Sequence, residues 1–142
     1  MQSRVAYRTA RRLRHRQPSA RRSGQAVVSD LPTTIEEARS ILAAPPEYFG
    51  TGWPLAVCLL ARQALEETVA QYWDRVDEPM NRTSMTHQLL CLSTLEVGAQ
   101  SLFSLWSRLS EWCHYRAVHA EPTSAELESL LADIESGVAS LL

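Results

Sequence analysis

The chain has 142 residues, of which 45% are hydrophobic and 21% are charged. This is the composition of a soluble globular protein, so a wholly disordered or fibrous chain is excluded, and the length suits one domain with its own core. The longest uninterrupted apolar run, Leu55 to Ala61, has seven residues, whereas a membrane-spanning helix needs about 20. We therefore expect a soluble protein with no membrane segment.

Charge is divided unevenly along the chain. Residues 1–22 contain eight arginines and no acidic residue, while residues 23–142 contain six arginines and sixteen acidic residues, a net charge of −10. A domain that grips nucleic acid over a broad face draws most of its affinity from basic side chains that neutralise phosphates. The acidic body excludes that class of protein, so any contact with RNA has to be local.

The first 30 residues show no sustained apolar periodicity. They cannot bury enough surface to offset the loss of chain entropy, and we predict a disordered basic tail over 1–30 followed by one helical domain over 31–142. The tail is either an arm for nucleic acid or an acidic partner, or a solvated extension. It lacks the apolar stretch of a secretory signal, and Cys58, Cys91 and Cys113 lie in apolar stretches, which favours reduced core thiols in a cytoplasmic protein.

Two helices are predicted in the first half of the domain. The first follows Pro32, where Thr33 and Glu36 have the spacing of a capping box, and it ends at a proline pair. The second is predicted over Leu55–Val76, where apolar residues recur at steps of three and four. Charged residues flank its apolar stripe, and Arg62, Glu66 and their neighbours are interpreted as a solvated face with pairing between residues four apart.

The connection over residues 45–54 carries Tyr48, Phe49 and Trp53 among prolines and glycines. We predict a loop whose aromatic rings cover the end of the core. The alternative is that these rings line a cleft for a small molecule.

Three further helices are predicted in the second half. Ser84 is a good N-cap for the third; the fourth spans about residues 99–117 and is expected to be central, because Trp106 and Cys113 widen its apolar stripe. The last opens with a capping box at Thr123 and Glu126. Since no segment alternates with a period of two, the predicted fold class is all-α, an up-and-down bundle of about five helices.

Most familiar catalytic signatures are absent, including a phosphate-binding glycine loop, a nucleophile elbow and a zinc-protease helix. The best metal hypothesis places His87 and Cys91 on one helix face, with Cys113 or His114 of a neighbouring helix as a third ligand. Cys91 equally suits a packed apolar position and His87 a helix start. We therefore predict neither a metal nor another cofactor.

A polar cluster remains at the end of the fourth helix and just beyond it. Arg108 is followed by five residues and then His114, and this spacing, late on a helix of a small helical protein, resembles the Arg-x4-6-His signature of the HEPN superfamily. The likeness covers residues 33–142, and the stretches 53–65 and 113–123 are similar to small HEPN-like proteins of actinobacteria. HEPN domains are helical bundles that comprise ribonucleases, toxins and non-catalytic relatives, and they commonly form dimers.

The resemblance implies that two copies meet along the helices that carry the motif. In that arrangement His114 acts as general acid or base on a ribose hydroxyl, and Arg108 neutralises the phosphate without a metal. Tyr115, Arg116 and His119 then become candidates for contact with nucleic acid. The family also suggests a nucleotidyltransferase antitoxin as a possible protein partner.

Helix geometry limits what the motif can do within one chain. Six residues along a helix separate Arg108 and His114 by about 9 Å in rise and about 120° around the axis, so a compact site needs a second subunit. The wide apolar stripe of the fourth helix also favours a symmetric dimer. Against catalysis, Leu109 stands where active members often have a polar residue, and Glu111 is placed to neutralise both motif residues. The alternative is a non-enzymatic interaction module with a degenerate site.

Overall fold

The computed structural model describes residues 31–114 and 120–142, and the predicted tail over 1–30 lies outside them. The described part is all-α, as predicted, with five α-helices and no strand. The helices are α1 (Thr33–Ala43), α2 (Trp53–Val76), α3 (Met85–Leu95), α4 (Leu102–His114) and α5 (Ser124–Ala139), with 3₁₀ turns at Glu47–Gly52, Glu78–Arg82 and Val97–Ala99. Within these residues no helix combines the length and apolar character that a membrane crossing requires.

The helix that contacts all the others is α2, whereas α4, predicted to be central, contacts α2, α3 and α5. The buried surface of α2 includes small side chains such as Ala61 and Ala64, both fully buried. Small residues let neighbouring helices approach closely. Val76, predicted as the end of the stripe, is 57% exposed.

The contacts of α4 with α5 fix their relative direction. Leu102, at the start of α4, packs against Gly137 near the end of α5. Further along α4, the charge of Arg108 acts on the carboxyl group of Glu126, in the first turn of α5. The two helices are therefore antiparallel. Five apolar residues at helical spacing along α5 are fully buried: Leu127, Leu130, Leu131, Ile134 and Val138.

Two of the predicted helix starts have the expected caps. The Ser84 hydroxyl accepts a hydrogen bond from the His87 N–H at 3.2 Å. At the start of α5 the Thr123 N–H donates to Glu126 Oε2 at 2.7 Å, and the Glu126 N–H donates to Thr123 Oγ1 at 3.2 Å. This is a complete capping box, and it satisfies backbone groups that have no partner within the helix.

The capping box predicted at Thr33 and Glu36 is wrong. Helix α1 already includes Thr33, and Pro32 is the N-cap, with no side chain capping the helix. Because Thr33 lies inside the first turn, its side chain cannot cap the helix: the capping side chain belongs to the residue that precedes the helix. The extended backbone of Pro32 starts the helix one residue early.

Other boundaries differ by two or three residues. Helix α2 begins at Trp53, ahead of the predicted Leu55, because Pro54 is tolerated in a first turn, where its missing N–H has no helical partner. Helix α4 begins at Leu102, because the residues before it form a separate 3₁₀ turn. The predicted end of this helix at residues 115–117 lies outside the described residues.

The aromatic residues between α1 and α2 divide into two groups. Trp53 and Phe49 are half-buried, and Trp53 packs against the core. Tyr48 is 83% exposed, so the prediction that all three rings cover the end of the core is wrong for Tyr48. The short 3₁₀ turn at residues 47–52 directs this ring away from the core.

Close packing of α4 on α5 predicts the effect of a small substitution. A Cβ atom at position 137 would overlap the Leu102 side chain. Alanine gains about 0.5–1 kcal/mol of helix propensity, but overpacking costs about 1–3 kcal/mol. We expect Gly137→Ala to lower the free energy of unfolding by about 1 kcal/mol in urea titration, while Ser129→Ala, at an exposed position of α5, does not lower it. A stabilised Gly137→Ala would contradict this packing.

The capping box of α5 predicts a pH effect. The hydrogen bonds from the Thr123 N–H and hydroxyl, with the charge of Arg108, hold the pKa of Glu126 below its ordinary value of 4.5. A carboxyl group with a lowered pKa in the folded state stabilises the fold above its unfolded pKa and loses that effect as pH falls through its folded pKa. We expect Glu126→Gln to be less stable than the parent at neutral pH and equally stable in strong acid. Thermal unfolding at several pH values checks this, with Glu128→Gln as the control that leaves the box intact.

Candidate functional site

Four side chains form a connected polar group along one edge of the contact between α2 and α4, here called the α2–α4 cluster: Arg62, Glu66, Trp106 and His114. Glu66 Oε1 accepts hydrogen bonds from Arg62 Nε at 2.8 Å and from Trp106 Nε1 at 2.9 Å. Arg62 Nη1 lies 3.0 Å from His114 Nε2. The guanidinium carbon of Arg62 is 5.5 Å from the centre of the Trp106 ring, within the range of a cation–π contact.

The two helices supply these residues through their opposite directions. Arg62 and Glu66 are four residues apart and share one flank of α2. From Glu66 back to Arg62 on α2, the partner on α4 advances from Trp106 to His114. Helices α2 and α4 are therefore antiparallel, and their register brings residue 114 to residue 62 from 52 positions away along the chain.

The contact between Arg62 and His114 determines the form of the imidazole. A guanidinium has only donors, so His114 Nε2 must be the acceptor and carry a lone pair. This arrangement corresponds to the tautomer that carries its proton on Nδ1. His114 is exposed, so the guanidinium and the imidazole form a surface pair that a ligand can reach.

The cluster carries little net charge. The carboxylate of Glu66 balances the guanidinium of Arg62, and both side chains are half-buried, at 34% and 24% exposure. An anion that binds Arg62 therefore has to compete with Glu66, which is already in place. The same carboxylate fixes Arg62 at its Nε, which leaves the outer nitrogens of the guanidinium directed toward His114 and solvent.

Cys113 lies beside the cluster but is a poor nucleophile. Burial raises the pKa of its thiol, and the nearby charge of Arg62 only partly opposes this effect. Because the thiolate is the reactive form of cysteine, the Cys113 side chain is a packing group at neutral pH.

The predicted catalytic pair, Arg108 and His114, is separated within one chain. Arg108 is exposed on another flank of α4, where its guanidinium carbon lies 6.0 Å from the centre of the Trp112 ring. Glu111, which was placed to neutralise both, forms no ion pair with any residue in 31–114 or 120–142. The predicted nucleic-acid contacts Tyr115, Arg116 and His119 lie outside the described residues.

The residues of the metal hypothesis differ in burial. His87 is exposed in the first turn of α3, while Cys91 is half-buried and packs against the core. In the described ranges, no three histidine, cysteine or acidic side chains are grouped so that they could hold a metal ion.

Sequence reasoning predicted the pair of Arg62 with Glu66 correctly but placed it on a solvated face. The pair is half-buried and belongs to the candidate site, together with Trp106, which was interpreted as core. The usable signal was an arginine and a glutamate four residues apart beside an apolar stripe. Nothing local in the sequence connects them to His114.

Comparisons with known proteins give no relative for this chain: no family model, curated protein or solved structure matches it. Its functional assignment therefore depends on the chemistry of its own residues.

The double role of Glu66 predicts an effect on stability. Glu66→Gln removes the negative charge of the group that accepts hydrogen bonds from both Arg62 and Trp106. We expect the free energy of unfolding to fall by about 1 kcal/mol. The control is Glu67→Gln on the same helix, whose carboxylate bonds only the exposed Gln63 among residues 31–114 and 120–142. Urea titration should show less than half the effect for the control. An equal loss in both variants would mean that the cluster does not hold Arg62 as described.

Proposed function

We propose that this chain is a HEPN-like protein that binds single-stranded RNA at the α2–α4 cluster and cleaves it without a metal, acting as a dimer. The supporting observation is the 3.0 Å contact of Arg62 Nη1 with His114 Nε2 at an exposed edge. A guanidinium binds phosphate, and an imidazole transfers protons near neutral pH. These two groups are what metal-free cleavage of a phosphodiester requires.

The proposed reaction begins when an RNA phosphate takes over the Nη1 donor of Arg62 and frees the lone pair on His114 Nε2. This nitrogen removes the proton of the ribose 2′ hydroxyl, whose oxygen attacks the adjacent phosphorus. The bond from phosphorus to the 5′ oxygen breaks, and that oxygen takes the proton that His114 Nε2 removed, which returns the imidazole to its neutral form. The products are a 2′,3′-cyclic phosphate and a 5′ hydroxyl, and Arg62 neutralises the charge that develops on the phosphate oxygens.

Arg108 acts across the dimer in this proposal. Because it faces away from the His114 of its own chain, it would reach the phosphate bound to the other copy. The wide apolar stripe of α4, which favours a dimer, includes the Trp106 and Trp112 rings. Both rings are partly covered within one chain, since Arg62 lies over Trp106 and Arg108 over Trp112. The dimer therefore has to form at the edge of these rings, beside the motif residues.

Two further parts of the proposal come from the family resemblance. Tyr115, Arg116 and His119 lie within the five residues that follow His114 in the chain and would extend its contact with RNA. A nucleotidyltransferase antitoxin is the partner that the resemblance suggests for a HEPN-like toxin.

A second candidate function has its own support. Glu66 already neutralises Arg62, and the body of the chain carries a net charge of −10 over residues 23–142. Both features reduce affinity for a polyanion. They favour a non-enzymatic interaction module in which Arg108 and His114 are remnants of a site.

Cleavage in the presence of a chelator tests the proposal. The full-length protein should cut single-stranded RNA in EDTA and leave cyclic phosphate ends. His114→Ala, Arg62→Gln and Arg108→Ala should each lower the rate by about 10²–10⁴, the usual value of general acid–base and charge-stabilising groups. His87→Ala and Arg82→Ala are the matched controls, because both residues are exposed and lie outside the cluster.

The possible outcomes separate the candidates. RNA that binds but is not cut would make the protein an RNA-binding relative without catalysis. A protein that neither binds nor cuts RNA supports the interaction module. Full activity in a protein that sedimentation shows to be monomeric would remove the dimer and the role of Arg108 across it. Circular dichroism of each variant shows that a lost rate is not a lost fold.

A further inference from the structure

A groove of about 920 Å³ lies between α1, the 3₁₀ turn at Glu47–Gly52 and the first half of α2. It shares no residue with the α2–α4 cluster. Its apolar and aromatic lining comes from three elements: Ile41, Tyr48, Phe49, Leu59 and Leu60. Its acidic lining is Glu36 and Glu37, which are adjacent on α1.

The groove presents apolar surface to water. Tyr48 is 83% exposed and Leu59 is 49% exposed, and the centres of the Tyr48 and Phe49 rings are 4.6 Å apart. An exposed tyrosine ring next to an exposed leucine forms the kind of patch that binding partners cover. The hydrophobic part of an occupant would be stabilised by burial of this surface.

The charged side of the groove defines the other half of the occupant. Glu36 and Glu37 are exposed and form no hydrogen bond or ion pair with another residue in the described part of the chain, whereas the neighbouring Arg39 is held by Glu135. Two negative charges without a partner, beside aromatic rings, suit a segment that combines guanidinium groups with apolar side chains. A guanidinium can pair with carboxylates and also lie over the face of Tyr48.

We propose that the groove binds the arginine-rich segment of this same chain, residues 4–22. That segment carries eight arginines and no acidic residue, with Val5, Tyr7 and Leu13 among them. The chain enters the described region at Leu31, and Thr33, two residues later, already lines the groove. A ligand in the same chain acts at an effective concentration of the order of millimolar, so even weak pairs with Glu36 and Glu37 are populated.

Salt screening explains why this groove, rather than the acidic body as a whole, is the binding site. At physiological ionic strength the Debye length is about 8 Å, so distant exposed carboxylates contribute little. Only charges in direct contact with the segment attract it strongly. The groove places two such charges beside apolar surface and next to the point where the segment joins the domain.

Photo-crosslinking of the full-length chain tests this proposal. A benzoylphenylalanine residue at position 48, in place of the exposed Tyr48, should form crosslinks to residues 4–22 of the same chain, with a yield that does not depend on protein concentration. Glu36→Gln combined with Glu37→Gln should lower that yield about fivefold, as the loss of two exposed ion pairs would. The control Glu78→Gln with Asp133→Asn makes the same change of net charge outside the groove and should retain the yield.

A second measurement leaves Tyr48 intact. Trypsin should cleave after the arginines of residues 4–22 about fivefold faster in the Glu36→Gln, Glu37→Gln variant than in the parent, and the control variant should match the parent. The proposal is overturned if no crosslink reaches residues 4–22, or if the crosslinks join two chains and increase with concentration. An equal effect of both double variants would also overturn it, because it would show a general charge effect and no groove.

Discussion

The fold depends on the burial of α2 by all four other helices. Ten of the 24 residues of α2 are buried, and alanines such as Ala61 and Ala64 let its neighbours come close. Charged side chains are then confined to its remaining edges. Where Arg62 and Glu66 meet α4 they are half-buried, and partly desolvated charges need partners. Arg62 and Glu66 are partners of each other, and the Trp106 N–H is a second hydrogen-bond donor to Glu66.

The position of α4 along α2 is what turns this pair into a candidate site. Leu102 packs where α5 has Gly137, and this close contact sets the height of α4 in the bundle. Trp106 follows one turn later and reaches Glu66, and His114 follows about two turns after that and reaches Arg62. A glycine on a helix that contributes no residue to the cluster therefore helps to set the distance between Arg62 and His114.

The sequence predicted the features that are encoded locally and missed those that arise from packing between distant segments. Helix periodicity and the capping box at Thr123 involve residues within a few positions of one another, so they could be derived directly. The capping box predicted at Thr33 does not form. The sequence pattern is the same whether the helix starts at Thr34 or, as observed, at Thr33. The contact between Arg62 and His114 could not be predicted, since it depends on the register of two antiparallel helices. The Arg-x5-His spacing therefore pointed to His114 as a candidate residue but did not point to Arg62, the arginine that contacts it.

The proposed function and the proposed occupant of the groove both involve the arginines near the start of the chain. An acidic body repels RNA, so the eight arginines of residues 1–22 are the largest group of positive charges in this chain available to a phosphate backbone. If those arginines bind beside Glu36 and Glu37, they are withdrawn from RNA. The affinity that remains must then come from local contacts at Arg62 and Arg108, where a phosphate competes with Glu66. Occupation of the groove would thus suppress indiscriminate binding of RNA and leave the choice of substrate to the cluster.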